Sequence, residues 1–186
     1  MIDSIRRSVS ESLELKRTFF AANEERLAAV ARAVRAALEK GNKVLLFGNG
    51  GSAADAQHIA AEMVGRFRRE RAPLAAVALT TDTSVLTSVG NDYGYEHVFE
   101  RQVRALGRPG DVAVAISTSG NSPNVLLAAA AAAEIGLVTV GLTGGDGGRL
   151  ARLVEHHLNV PHRSTARVQE VHIMIGHLIC ELLDEI

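Results

Sequence analysis

His58 and Glu62 stand four residues apart in the stretch GNGGSAADAQHIAAE, residues 48 to 62. On a helix opening near Ser52, that spacing puts an imidazole and a carboxylate on one face, one turn apart. A second polar stripe runs along the otherwise apolar stretch VQEVHIMIGHLICELL, where Gln169, His172, Gly176 and His177 follow at offsets of three, seven and eight residues. Taken singly, histidines on apolar helices are more often hydrogen-bonded core residues than ligands. Taken together, two imidazoles, a carboxylate and an amide make a donor set for a divalent ion such as zinc. Spacing alone leaves open whether His172 or His177 supplies the second imidazole.

Two loops carry the remaining chemistry. Gly48-Asn49-Gly50-Gly51-Ser52-Ala53 follows the apolar run KVLLF and satisfies the G-x-G-x-x-G/A pattern of dinucleotide sites. Such sites need a ribose-binding acid about 20 residues on. Here the nearest strand-end acid is Asp82, about 30 residues after the loop, which counts against a nicotinamide cofactor. The plain alternative is a tight turn feeding a helix. The second loop, STSGNSPN, follows DVAVAI and offers the hydroxyls of Ser117, Thr118, Ser119 and Ser122. Ser122 suits an N-cap and Pro123 the first helical position, so a helix opens there with free amides aimed outward. Hydroxyls at a helix N-terminus suit a phosphate. No lysine of the nucleotide-triphosphate kind is present, so a phosphomonoester fits better than a triphosphate with its magnesium. A merely hydroxyl-capped turn is the competing reading, and the density of hydroxyls tells against it. Asn91 and Asp92, in TTDTSVLTSVGNDYGYE, are groups that a polyol would use, and NDYG is equally an ordinary turn. The basic run GRFRRERAP reads as a solvated loop in which Arg66, nearest the His58 helix, is the one cation worth following.

These residues need a scaffold, and the rest of the chain supplies one. Short β-rich runs, KVLLF, LAAVAL, DVAVAI, LVTVGL and HHLNV, alternate with helical segments, as in a doubly wound parallel α/β sheet. The alanine tract before Gly136 reads as a crossover helix. Ahead of the sheet, apolar periodicity predicts two helices, 5–22 and 24–40, whose greasy faces imply contact with another subunit. At 186 residues and 47% hydrophobic content, one domain covering 1–186 is expected, with residues 1–40 used in oligomerisation. The net charge of -1 gives no basic field for nucleic acid. A lone cysteine, Cys180, fits a reducing, cytoplasmic setting. The longest apolar run, Val125 to Ala133, is too short to span a bilayer, so no membrane or targeting segment is expected.

Read together and in order, GNGGSAADAQHIAAE, VGNDYGYE, STSGNSPN, LTGGDGG, VPH and QEVHIMIGH closely resemble the phosphoheptose isomerases, a branch of the sugar isomerase (SIS) domain proteins. The resemblance covers nearly the whole chain. It implies a five-stranded parallel sheet of flavodoxin-like type and a homotetramer with active sites between subunits. The implied reaction turns sedoheptulose 7-phosphate into D-glycero-D-manno-heptose 7-phosphate, opening the route to activated heptoses for lipopolysaccharide and other bacterial surface glycans. Carried over by position, Asn49, Gly50, Gly51, Ser52, Asn91 and Asp92 line the sugar site, with Glu62 and Gln169. Ser117, Thr118, Ser119 and Ser122 hold the phosphate. His58, Glu62, Gln169 and His177 match the ligands of one Zn²⁺ per subunit, which selects His177 over His172. Glu62 and His177 are also the family's acid/base candidates, as an aldose–ketose exchange through a cis-enediol needs a base on carbon and a proton carrier on oxygen. A non-catalytic SIS adaptor, like the replication-initiator-associating relatives, is the rival reading, and an isomerase of another sugar phosphate is a third. Val171 and the stretch HRSTAR before the last helix fall where relatives differ, so any further carboxylate that the family places there has no clear counterpart in this chain.

Overall fold

Strand β1, Val44–Gly48, is buried along its whole length, which is what an apolar run covered on both faces requires. The computed structural model describes residues 1 to 184. Around β1 it sets β2 (Ala76–Ala78), β3 (Val112–Ser117), β4 (Val138–Gly144) and β5 (His156–Val160) in the order β2-β1-β3-β4-β5. Every pairing is parallel. Because successive side chains alternate between faces, Val44 and Leu46 join one core, and Leu45 and Phe47 the other.

The first core is roofed by α1 (Ile2–Glu39), α2 (Gly51–Val64) and α6 (Thr165–Leu183). The second is covered by α3 (Thr83–Tyr93), α4 (Glu100–Leu106) and α5 (Pro123–Ile135). All five expected strands are present. The alanine tract is α5, and Gly136 closes it in the left-handed conformation, φ 90°.

The N-terminus differs from expectation. The two predicted helices are one continuous helix of 38 residues, about 57 Å long at 1.5 Å per residue. Neither Gly nor Pro interrupts residues 20–25, and Asn23 donates its side-chain amide to the Phe19 carbonyl one turn back instead of breaking the helix. The helix is seated in the first core through Phe19, Leu27, Val30 and Val34. Ile2, Ile5, Val9 and Leu13 form an exposed apolar stripe. Among the described residues no helix is long and apolar enough to cross a membrane.

The strand order reverses direction at β1, with β2 on one side and β3 on the other. Ligands of open α/β sheets bind at such a switch point, beyond the carboxyl ends of the strands. Gly48 of β1 is paired with Ile116 of β3, so the glycine loop and the hydroxyl loop leave the sheet side by side.

Candidate active site

The glycine loop turns from β1 into α2 at Gly50, whose φ of 56° favours glycine. Gly51 opens the helix, and a Cβ there would stand 2.4 Å from Gln169 Nε2, so the bare backbone is what lets α6 lay its amide on the loop. Ser52 lies buried against Gly48. Asn49 lines a cavity with Tyr95, Glu96, Ser122 and Asn124.

The hydroxyl loop is built as a cup. Ser122 takes the N-cap position of α5 with Pro123 after it, as expected, yet its side chain makes no capping bond. Instead its Oγ lies 3.1 Å from Ser117 Oγ, which is 3.4 Å from Ser119 Oγ. Three hydroxyls therefore converge beside a helix N-terminus, as an anion site requires. Gly120, at φ 62°, folds the loop back so tightly that a Cβ would meet the Gly147 carbonyl oxygen at 2.0 Å. The LTGGDGG segment thereby buttresses the cup, with the Leu150 amide donating to the Gly120 carbonyl.

On the opposite flank α2 and α6 run side by side in the same direction. Gly51 meets Gln169 at one end, and Gly176 meets Ile59 about two turns further on, where a Cβ would stand 2.5 Å from Ile59 Cδ1. This close approach sets His58 Nε2 3.0 Å from His177 Nε2, with Glu62 Oε1 3.4 Å from the same His58 nitrogen. Phe67 stacks on the His177 ring at 5.5 Å between centroids. Gly176→Ala is therefore expected to harm turnover more than folding. Overpacking by a methyl typically costs about 1–3 kcal/mol, and the helix propensity of Ala returns about 1 kcal/mol of it. The helices must still part, and with them the two imidazoles. Steady-state kinetics beside thermal unfolding reads this, and unchanged kcat would show the spacing is not critical.

The two histidines of α6 have different surroundings. His172 is fully buried, and its Nε2 lies 3.0 Å from the Thr143 carbonyl, to which it donates. Burial pushes its pKa down to about 4 against the opposing effect of that hydrogen bond, so it stays a neutral part of the core. His177 is the one that meets His58.

Three of the four expected metal ligands thus lie together, and their two imidazole nitrogens and carboxylate oxygen suit zinc. Among the described residues, however, no set of three His, Cys, Asp or Glu side chains is already spread as a cage. The reason is visible in the rings: two nitrogens each about 2.0–2.1 Å from one tetrahedral ion sit about 3.3 Å apart, and these touch through a hydrogen bond at 3.0 Å. Gln169 does not share a hydrogen bond with the trio. Its amide rests on Gly51, seven residues before His58, or about 10 Å along the helix axis.

Other expected residues fall differently. Asn91 and Asp92 sit in the last turn of α3, exposed, with Asn91 Nδ2 donating to Asp92 Oδ1 at 2.8 Å. Asp82, the acid weighed for a ribose, caps α3 by accepting from the Val85 amide. Arg66 pairs only loosely with Glu70, at 3.8 Å and in the open. The basic run is largely exposed, as expected, except at Arg71, whose side chain is 8% exposed and donates to Asp184 and to the carbonyls of Glu62 and Met63 that end α2. Sequence reading missed it because Asp184 lies 113 residues away.

Sequence reading also passed over Asp55, one turn before His58. Its Oδ2 is buried without a hydrogen-bond partner among the described residues, and burial pushes the carboxyl up to about 6 against the opposing influence of His58. Cys180 is buried, and desolvation, with the charge of Glu62 adding to it, pushes its thiol up to about 12, which excludes a nucleophilic role at neutral pH.

A parallel sheet with a hydroxyl cup and a glycine loop at its switch point defines a SIS domain, and the sequence model of that family matches residues 9–144. Over its whole length the chain is 53% identical to the phosphoheptose isomerase of Aquifex aeolicus, covering 97% of that protein. The phosphoheptose isomerase structure from Neisseria gonorrhoeae superposes with a TM-score of 0.94 at 49% identity, over 99% of this chain and 98% of that one. The one from Francisella tularensis gives 0.96 at 38% identity, over 100% and 98%. The chain belongs to the phosphoheptose isomerase family of SIS-domain proteins.

Proposed function

We propose that this protein converts sedoheptulose 7-phosphate to D-glycero-D-manno-heptose 7-phosphate. The observation that carries the proposal is the pairing of a hydroxyl cup, at the carboxyl end of β3, with an imidazole–carboxylate cluster across the switch point. The cup holds the phosphate through Ser117, Thr118, Ser119 and Ser122. Asn49 and the bare backbone of Gly50 and Gly51 approach the sugar. Glu62 removes the proton from the carbon beside the carbonyl, and His177 carries the proton between the two oxygens of the cis-enediol. His177 is held for that task by Phe67 on one face and His58 at its edge.

His58, Glu62 and His177 would hold a zinc ion; Gln169, which the family resemblance adds to the set, rests on Gly51 in this structure. When bound, such an ion polarises the sugar oxygens and orders the site. A carboxylate that is both ligand and base must loosen from the metal during turnover. Active sites shared between subunits of a homotetramer are part of the same proposal, supported by the exposed stripe of Ile2, Ile5, Val9 and Leu13. A cytoplasmic setting and a product destined for lipopolysaccharide complete it. The intact His58–Glu62–His177 cluster speaks against a non-catalytic adaptor.

Incubation with sedoheptulose 7-phosphate in D₂O, followed by NMR, tests the reaction. An aldoheptose phosphate carrying deuterium at C2, with its formation abolished by chelator and restored by zinc, is the expected result. Absence of turnover in the zinc-loaded protein overturns the assignment of the substrate. Turnover that chelation leaves intact removes the metal from the proposal.

A further inference from the structure

Asn124 is 3% exposed, and nothing in the family resemblance gives it a role. It sits one residue into α5 after Pro123, and its side-chain amide pairs with that of Asn49 through two reciprocal hydrogen bonds. Asn49 Nδ2 donates to Asn124 Oδ1 at 2.9 Å, and Asn124 Nδ2 donates to Asn49 Oδ1 at 2.9 Å. The pair bridges the two loops of the site, 75 residues apart in the chain. A primary amide has two N–H donors and an oxygen with two lone pairs. The pairing uses one donor and one lone pair of Asn49, and Tyr95 Oη approaches the same oxygen at 3.4 Å. One N–H of Asn49 remains, beside a cavity of about 550 Å³ that Asn49 lines with Tyr95, Glu96, Ser122 and Asn124 itself.

A single hydrogen bond would leave the Asn49 amide free to turn about its donor. Two antiparallel bonds fix its plane and dictate which edge carries the oxygen, so the remaining donor has one direction. We infer that Asn124 is a positioning residue for the reaction: it holds the Asn49 amide so that its free N–H meets a sugar hydroxyl, and it ties the sugar loop to the phosphate cup at a set distance. Asn124 acts through Asn49, to which it gives one donor and one acceptor of its amide. This role rests on the sugar-phosphate reading of the site.

The test is a cycle of Asn124→Ala, Asn49→Ala and the double variant, with KM and kcat for sedoheptulose 7-phosphate and the inhibition constant of inorganic phosphate measured for each. Loss of a buried hydrogen-bonding partner is typically worth about tenfold or more in binding. The expected result is KM raised by about that factor in Asn124→Ala, phosphate inhibition unchanged within about twofold, and a double variant no worse than Asn49→Ala. A loss in the double variant equal to the product of the single losses overturns the coupling. Phosphate inhibition that weakens as much as KM rises assigns Asn124 to the cup and also overturns it. If Asn124→Ala does not fold, Asn49→Asp takes its place, since its carboxylate still accepts from Asn124 Nδ2 but donates nothing. Raised KM with unchanged phosphate inhibition then supports the inference, and unchanged KM overturns it. A wild type without turnover points instead to a wrong substrate, and the same cycle is then read on calorimetric dissociation constants for the sugar phosphate and for inorganic phosphate.

Discussion

Glu62→Gln is expected to lower kcat by about 10²- to 10⁴-fold, the usual worth of a general base, while inhibition by inorganic phosphate stays within about twofold of wild type. The glutamine keeps the shape of the side chain and its place one turn after His58, but it cannot take a proton from carbon. The hydroxyl cup proposed to hold phosphate is built on β3 and α5 and should not sense the change. Because Glu62 also belongs to the proposed metal set, zinc content must be measured on the same preparation. A variant that keeps its zinc and loses turnover assigns the carboxylate as base. A variant restored by excess zinc makes it chiefly a ligand, and unchanged kcat would sink both roles.

Arg71→Ala is expected to destabilise the fold by about 3–5 kcal/mol, the range for removing one partner of a buried ion pair. At about 2–4 °C per kcal/mol for a chain of this size, the melting temperature falls by roughly 10 °C. The guanidinium donates to Asp184 Oδ1 at 2.9 Å and to the Glu62 and Met63 carbonyls at 2.9 Å, so one group both pairs a carboxylate and caps α2. Asp184 in turn accepts from the Arg68 and Arg69 amides at 2.7 and 3.0 Å. Lysine cannot reproduce that fork, and Arg71→Lys should recover little of the loss. Burial alone would raise the Asp184 carboxyl, but its hydrogen bonds and the charge of Arg71 outweigh this and hold it below its ordinary value of 3.8. A group lowered in the folded state stabilises the fold at pH above its unfolded value and loses that contribution as pH falls through its folded value. The gap between wild type and Arg71→Ala should therefore be widest near neutrality and narrow below about pH 4. Unfolding curves at several pH values read both effects, and a gap independent of acid would mean that Asp184 is not the partner that matters. Since the same loop carries Phe67 against His177, a fall in kcat at temperatures where the variant is folded is also expected.

Much of this protein is written locally. Most strands are short apolar runs and each glycine or hydroxyl loop follows one directly, so the parallel sheet, the hydroxyl cup and the His58–Glu62 pair are legible from neighbouring residues. Strand burial depends on composition over about five residues, and an i, i+4 pair depends only on helical pitch. The N-terminal helix was misread as two, since one polar side chain at Asn23 resembles a break until its bond to Phe19 is seen. The remaining features depend on contacts that no local pattern encodes. His172 and His177 are about 140° apart around α6 at 100° per residue, and both are plausible ligands until the sheet claims one for the Thr143 carbonyl and α2 the other. Arg71 looked solvated because its carboxylate lies at the far end of the chain. Asn124 carries no local signal because its partner is on another strand's loop. The sequence by itself determined which elements form and which chemical groups sit at their ends, since both follow from short-range burial and backbone preference. Only the tertiary structure decided which of those groups meet, because that depends on how closely α2 and α6 pack over the sheet and on side-chain pairings across the full length of the chain.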